Sequence, residues 1–484
     1  MEKTSNLSKI IYYLELFLFI TIIIFSFFSN FRFFSIHGKT FNLSFYLSLI
    51  ALPLFYFSYF FMFKPKFLNR LIVCIIVCFI PLAISSIGMS IFLYPTYNSF
   101  FKTNPTIVVT ESLIKYIYDL SFIPYFIFFL CTAKYKIFKC SVYAFFALWV
   151  LFGLFQIFAF FINSDFLWNL YESIDFLKII DTDSYFFHRI YLNYHFYRFA
   201  GFGSEPSSNA TLICCVLLPF FVYEILHANK TKTLILNVLF ALITFTFGIL
   251  TFSVMVFFGL LVEAVALLLF AFESKKIPKK IKVFLACFIV TTLIIVFTVP
   301  IIRKTLIERN IGRIIDFNDY STLYRYSTIW NDIKTFIKYP LFGVGDDNQG
   351  YFYLNNMVGT VFTSSPECLM AMQGEFGLLS GGPFIPSFIS GFGLFGIVVV
   401  VFFINKFVKE LKNEKLFNAS IVRYFVVIML CHFLFMTFSN NIHRSYSFFL
   451  ACSLLTIGTR KNSQNNLGEF LATSSEPQLY YVYL

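Results

Sequence analysis

Six arginines and a few carboxylates stand where this chain could handle an anion and move a proton. Arg198 opens the run RFAGFGSEPSSNA (198–210), in which Gly201 and Gly203 allow close backbone approach. Glu205 and Pro206 follow, and Ser207, Ser208 and Asn209 could cap the next helix, whose N-terminus would attract an anion. Arg303, Arg309, Arg313 and Arg325 form a second group. Guanidinium forks of this kind suit a diphosphate head group, and they equally suit anchoring beside lipid phosphates. Past Arg325, Gly343 and Gly345 mark a turn, and Asp346 and Asp347 read as its solvated end rather than a cation site. Glu367 and Glu375 precede an apolar run, and a carboxylate there can act as a general base if burial raises its pKa. The alternative is a surface glutamate. His443 and Arg444 share a short turn, His432 reads as a packed histidine, and Glu263 sits alone inside an apolar run.

The elements that must position these groups are membrane spans. The chain has 484 residues, of which 58% are hydrophobic, 22% aromatic and 13% charged. A soluble globular protein averages about 25% charged residues, so that class is excluded, and a disordered chain would be poor in aromatics. About twelve apolar runs approach the roughly 20 residues a span needs: 9–29, 43–63, 71–93, 113–132, 140–162, 209–227, 234–252, 254–272, 283–301, 386–406, 421–439 and 445–459. Short basic connections at 64–70, 134–139, 227–233, 273–282, 406–415 and 460–463 fall on one side, which the positive-inside rule makes cytoplasmic, together with both termini. The net charge of +12 is therefore a topology signal, and nucleic acid is not an expected partner.

The expected fold is an all-α polytopic bundle over 1–460 with a cytoplasmic tail at 461–484. Two long segments, 163–208 and 302–385, lie outside. Apolar positions Ile329, Trp330, Ile333, Phe336 and Ile337 recur at helical spacing, with Lys334 and Lys338 off the stripe. They predict an amphipathic helix over 324–338 on the outer membrane surface, ended by Pro340. Of the ten cysteines, Cys368 alone falls in a long exterior loop, without an expected partner. No spacing suggests a metal, and no cofactor is expected.

Two blocks carry a family resemblance. RFAGFGSEPSSNA resembles the Arg-x-x-Gly…Pro-x-x-x-Ala block of the O-antigen ligase/polymerase superfamily. The run from Arg325 through Trp330 to KYPLFGVG (338–345) resembles its Arg…Trp…Pro-Leu-x-Gly-x-Gly block, and CLMAMQGEFGLL (368–379) resembles the segment that follows. Where ligases of that superfamily carry a histidine, this chain reads Ser364-Ser365-Pro366-Glu367, so it looks most like a Wzy-type O-antigen polymerase.

The resemblance implies a GT-C-like glycosyltransferase of the bacterial inner membrane, in lipopolysaccharide or other polysaccharide biosynthesis. Its donor and acceptor would both be glycans linked to undecaprenyl diphosphate. Arg198 and Arg325 would hold the departing diphosphate, helped by Arg303, Arg309 and Arg313, and Glu367 would be the base. Glu205, Gly343, Gly345, His443 and Arg444 are further candidates. A chain-length regulator and a flippase would be partners alongside membrane lipids. The rival readings are a ligase of the same superfamily and a polysaccharide flippase or transporter.

Overall fold

The computed structural model describes residues 2–26, 34–36, 39–41, 43–59, 66–96, 104–132, 135–162, 199, 212–226, 228, 230–251, 253–273, 278–298, 320–373 and 384–413. The first group of helices is α1 (Glu2–Ser26), α2 (Leu43–Ser58), α3 (Lys66–Phe92), α4 (Pro105–Thr132) and α5 (Tyr135–Ile162). The second is α6 (Leu218–Leu226), α7 (Thr231–Leu250), α8 (Val254–Glu273) and α9 (Lys279–Thr298). Then come α10 (Tyr320–Lys338), the short α11 (Tyr353–Met357) and α12 (Pro366–Met372), and the long α13 (Phe384–Asn413).

The first ten apolar runs each coincide with one of these helices, with shifted ends: α4 starts at Pro105 and α2 stops at Ser58. Among the described residues, four windows are by length and composition long and apolar enough to cross a membrane: Asn69–Phe92, Lys139–Phe158, Thr231–Leu250 and Ile385–Lys406. Runs 421–439 and 445–459 lie outside the described residues. One detail departs from an all-α chain. Phe34–Ile36 and Lys39–Phe41 pair as a small antiparallel hairpin.

The bundle carries large apolar side chains on its outside as well as in its core. Ile84, Phe92 and Leu151 face outward, while Ser86, Ser90, Ser112, Gln156, Asn237 and Thr244 are buried. Large apolar side chains on the outside are stable when the surroundings are hydrocarbon, and small polar residues then allow helices to approach. The Ser90 and Thr244 hydroxyls bond back to their own helices, Thr244 to the Phe240 carbonyl at 2.8 Å. Aromatic rings fill the remaining space. Phe19, Phe55, Tyr125 and Phe129 join α1, α2 and α4, with the Phe19 and Phe129 rings stacked at 5.0 Å.

At another junction Lys139 of α5 pairs with buried Glu224 of α6, and Tyr143 donates to Asn237 of α7 at 2.6 Å. Pro219 follows a π-helical turn at Ile213–Leu217. Proline lacks an N–H and crowds the carbonyl four residues back, so the wider turn accommodates it without breaking the helix.

Candidate functional site

The most developed polar structure lies where α10 and the chain after it meet α13. Residues 327, 328, 331, 332 and 335 of α10 form a polar face, and that face is buried. Asp332 accepts hydrogen bonds from Ser387 Oγ at 3.0 Å and Ser390 Oγ at 3.3 Å of α13. Asn331 donates to the Gln349 carbonyl at 3.0 Å and accepts from Asn356 Nδ2 at 2.8 Å. Ser327 bonds the Tyr353 hydroxyl. Ser327, Asn331, Asp332 and Thr335 thus find partners on neighbouring elements, and Thr328 bonds the Arg325 carbonyl of its own helix at 2.8 Å, as burial away from water demands.

The turn after α10 is built on glycine. Gly343 and Gly345 have φ of +68° and +89°, a region open to them because they lack a Cβ. Their conformation lays the turn segment 340–345 along a break in α13. At Gly393 the helix leaves helical geometry, with φ +65° and ψ −161°. The break frees backbone groups, and the turn takes them up. The Val344 and Gly345 amides donate to the Ser390 and Gly391 carbonyls at 3.1 and 3.0 Å. The Leu394 and Phe395 amides donate to the Pro340 and Leu341 carbonyls at 2.8 and 3.0 Å.

Asp346 follows this turn and corrects the expectation of a solvated end: it is buried between α3, α4 and α13. Its amide donates to Ser86 Oγ at 2.8 Å, and its carboxylate accepts from Ser112 Oγ. Burial, then the neighbouring Asp347, pushes the Asp346 carboxyl well above the ordinary carboxylate range, against opposing pulls from Ser112 and Lys115. Gln349 is likewise buried. Its Nε2 donates to the Ser387 carbonyl at 2.6 Å, and its Oε1 has no hydrogen-bond partner among the described residues. Burial also pushes the Tyr351 hydroxyl up to about 12.

Arg325 is exposed on α10. Glu367 lies in the first turn of α12, which Ser365 caps by accepting from the Cys368 amide at 3.5 Å. Cys368 is not the partnerless loop thiol expected from the sequence. It is buried and donates to Ser327 Oγ at 3.5 Å, tying α12 to α10. Arg325, Gly343, Gly345 and Glu367 therefore belong to one folded unit, 320–373, seated on α3, α4 and α13. Arg198, Glu205, Arg303, Arg309, Arg313, Glu375, His432, His443 and Arg444 lie outside the described residues. Phe199, next to Arg198, is fixed at the end of α7 by its amide to the Leu250 carbonyl at 2.8 Å and by stacking on Phe247 at 4.8 Å.

Sequence reasoning missed Asp332, Ser387, Ser390 and Gln349, and it placed Asp346 in solvent. A signal existed for the α13 serines: they stand three residues apart beside Gly391 and Gly393, a small-residue stripe typical of close packing in a membrane helix. A second polar group stands apart. Glu263 of α8 is buried with Oε1 unpartnered, in a cavity of ≈ 20 Å³ lined otherwise by apolar side chains such as Leu218, Leu242, Phe245 and Phe288. Among the described residues, no group of three or more His, Cys, Asp or Glu could hold a metal ion. No family model matches the sequence, and no curated protein or solved structure is significantly similar to it.

Proposed function

We propose that this chain is a membrane glycosyltransferase that polymerises lipid-linked oligosaccharide repeats on the outer face of the bacterial inner membrane. In this reading twelve helices span the bilayer, both termini are cytoplasmic, and 163–208 and 302–385 are extracytoplasmic. The growing glycan leaves its undecaprenyl diphosphate as a sugar hydroxyl of a new lipid-linked repeat attacks the anomeric carbon. The hydroxyl proton passes to a base, here Glu367, and the diphosphate departs with the bonding pair. Arg198 and Arg325 neutralise the charge that develops on the leaving group, which preorganised cations do without a metal.

The observation that carries the reading is the placement of the block from Arg325 to Gly345. It is folded against Ser387–Phe395 early in α13, and Asp346, directly after it, bonds Ser86 late in α3 and Ser112 early in α4. These are the helix ends that the charge asymmetry assigns to the exterior, so one compact cap presents Arg325 beside the membrane. A broken helix also suits a transporter. Here, however, the backbone groups freed at Gly393 are bonded by the 340–345 turn instead of lining a pathway.

The test is reconstitution in liposomes with synthetic lipid-linked repeats. Arg198→Ala and Arg325→Ala should each slow transfer about 30-fold or more, the consequence of losing a desolvated charge contact worth on the order of 2–5 kcal/mol. Lysine should rescue only in part, since a fork becomes a point charge. Arg325 is exposed, so its replacement leaves the fold intact. Normal product ladders from both alanine variants would refute the proposal.

A further inference from the structure

α10 buries its polar face and exposes its apolar one. Trp330, Ile333 and Ile337 are 37%, 43% and 68% exposed, and the turn that follows continues the stripe with Leu341 at 63% and Phe342. Solvated monomers rarely leave such a contiguous apolar face open. The face also has a direction. The Phe342 ring lies 5.6 Å from that of Phe395 in α13, and the Leu341 carbonyl bonds the Phe395 amide. Leu394 and Val398 are exposed on that same helix, inside the membrane-crossing window Ile385–Lys406. The stripe is thus continuous with a candidate lipid-facing surface.

Cations border it. Lys334 Nζ stands 5.1 Å from the Trp330 ring and Lys338 Nζ 5.3 Å from that of Tyr339, with Arg325 two turns earlier. An aromatic ring with an ammonium beside it is the arrangement of a membrane interface, where the ring sits at the headgroup level and the cation meets phosphate.

We infer that the 330–342 face is a docking surface for the phospholipid bilayer, with the apolar stripe seated in the outer leaflet and Lys334 and Lys338 at the phosphates. This holds α10 at a fixed depth and sets Arg325 at the level where a lipid-borne diphosphate lies. The inference rests on the membrane topology of the proposed function but not on transferase activity, which is not among its readouts.

The full chain in phosphatidylethanolamine–phosphatidylglycerol liposomes is photolysed with a phospholipid carrying a diazirine in its acyl chain, and adducts are mapped by peptide mass spectrometry. A parallel sample is oxidised by hydroxyl radicals from the aqueous side. The expected result is carbene adducts on Trp330, Ile333, Ile337, Leu341 and Phe342, several-fold above those on the buried polar face, with Trp330 protected from oxidation. Ile337→Asp, an exposed position unable to disturb the core, should deplete the adducts. Ready oxidation of Trp330 would show a water-facing surface and overturn the inference. Protection from both reagents would show a covering protein segment and overturn it as well. Lipid adducts on a chain that transfers no glycan in the separate liposome assay would count against the proposed function alone.

Discussion

Replacing Gly343 by alanine is expected to detach the 340–345 turn from α13. A Cβ at this position would stand 2.3 Å from the Gly391 carbonyl oxygen and 2.5 Å from that of Ser390, both backbone atoms that cannot swing aside. The positive φ alone costs an L-residue about 1–2 kcal/mol. Relief of the clash would break the Val344 and Gly345 bonds to α13, and each buried group left unmade costs about 1–3 kcal/mol. The whole effect is about 3–8 kcal/mol. Gly359 is a matched control, because its φ is +76° yet nothing lies within 4 Å of its missing side chain. Gly359→Ala should therefore show the backbone cost alone. Hydrogen exchange at the Val344 and Gly345 amides in nanodiscs reads the difference, and about 2 kcal/mol corresponds to roughly 30-fold faster exchange. Equal protection of these amides in the two variants would refute the reasoning that the turn is clamped on the broken helix.

The raised carboxyl of Asp346 makes the docked turn pH-dependent. The folded state holds a proton that the unfolded state releases near pH 4, so stability present at acid pH is lost as pH rises through the raised folded value. Exchange at 344–345 should accelerate with pH beyond the intrinsic rate in the wild type, and Asp346→Asn, neutral throughout, should remove that excess. For Glu367→Gln we expect turnover to fall at least about 100-fold with little change in lipid-substrate binding, measured on purified protein; activity within a few-fold of wild type would reject Glu367 as base. Dicyclohexylcarbodiimide, an apolar reagent for carboxyls, should modify Glu263 in its apolar cavity, with the adduct absent in Glu263→Gln when peptides are mapped by mass spectrometry.

Much of the helical framework is legible in the chain because hydrocarbon is a uniform solvent. Wherever some 20 apolar residues run together, backbone groups must bond within the segment, and a helix is the local way to do it. The ten earlier runs became helices for that reason. The 3.6-residue period over 324–338 likewise gave α10 and its two faces, and the glycine spacing gave the turn at 343–345. Local sequence also explains the cap of α12, where Ser365 and Pro366 stand at its start.

What local sequence leaves open is the medium that each face meets. An Asp-Asp pair after a glycine turn is indistinguishable along the chain from a solvated loop. Only the approach of Ser86 and Ser112, more than two hundred residues earlier, makes Asp346 a buried carboxyl. The break at Gly393 has the same origin, since helical geometry is given up there for backbone bonds to 340–341 that only the folded chain supplies. The sequence determined which residues of α10 share a face; tertiary structure decided that the polar face turns inward. The physical reason is that Asp332 and Asn331 find partners on α13 and the 348–356 segment, while Trp330, Ile333 and Ile337 are left to face outward.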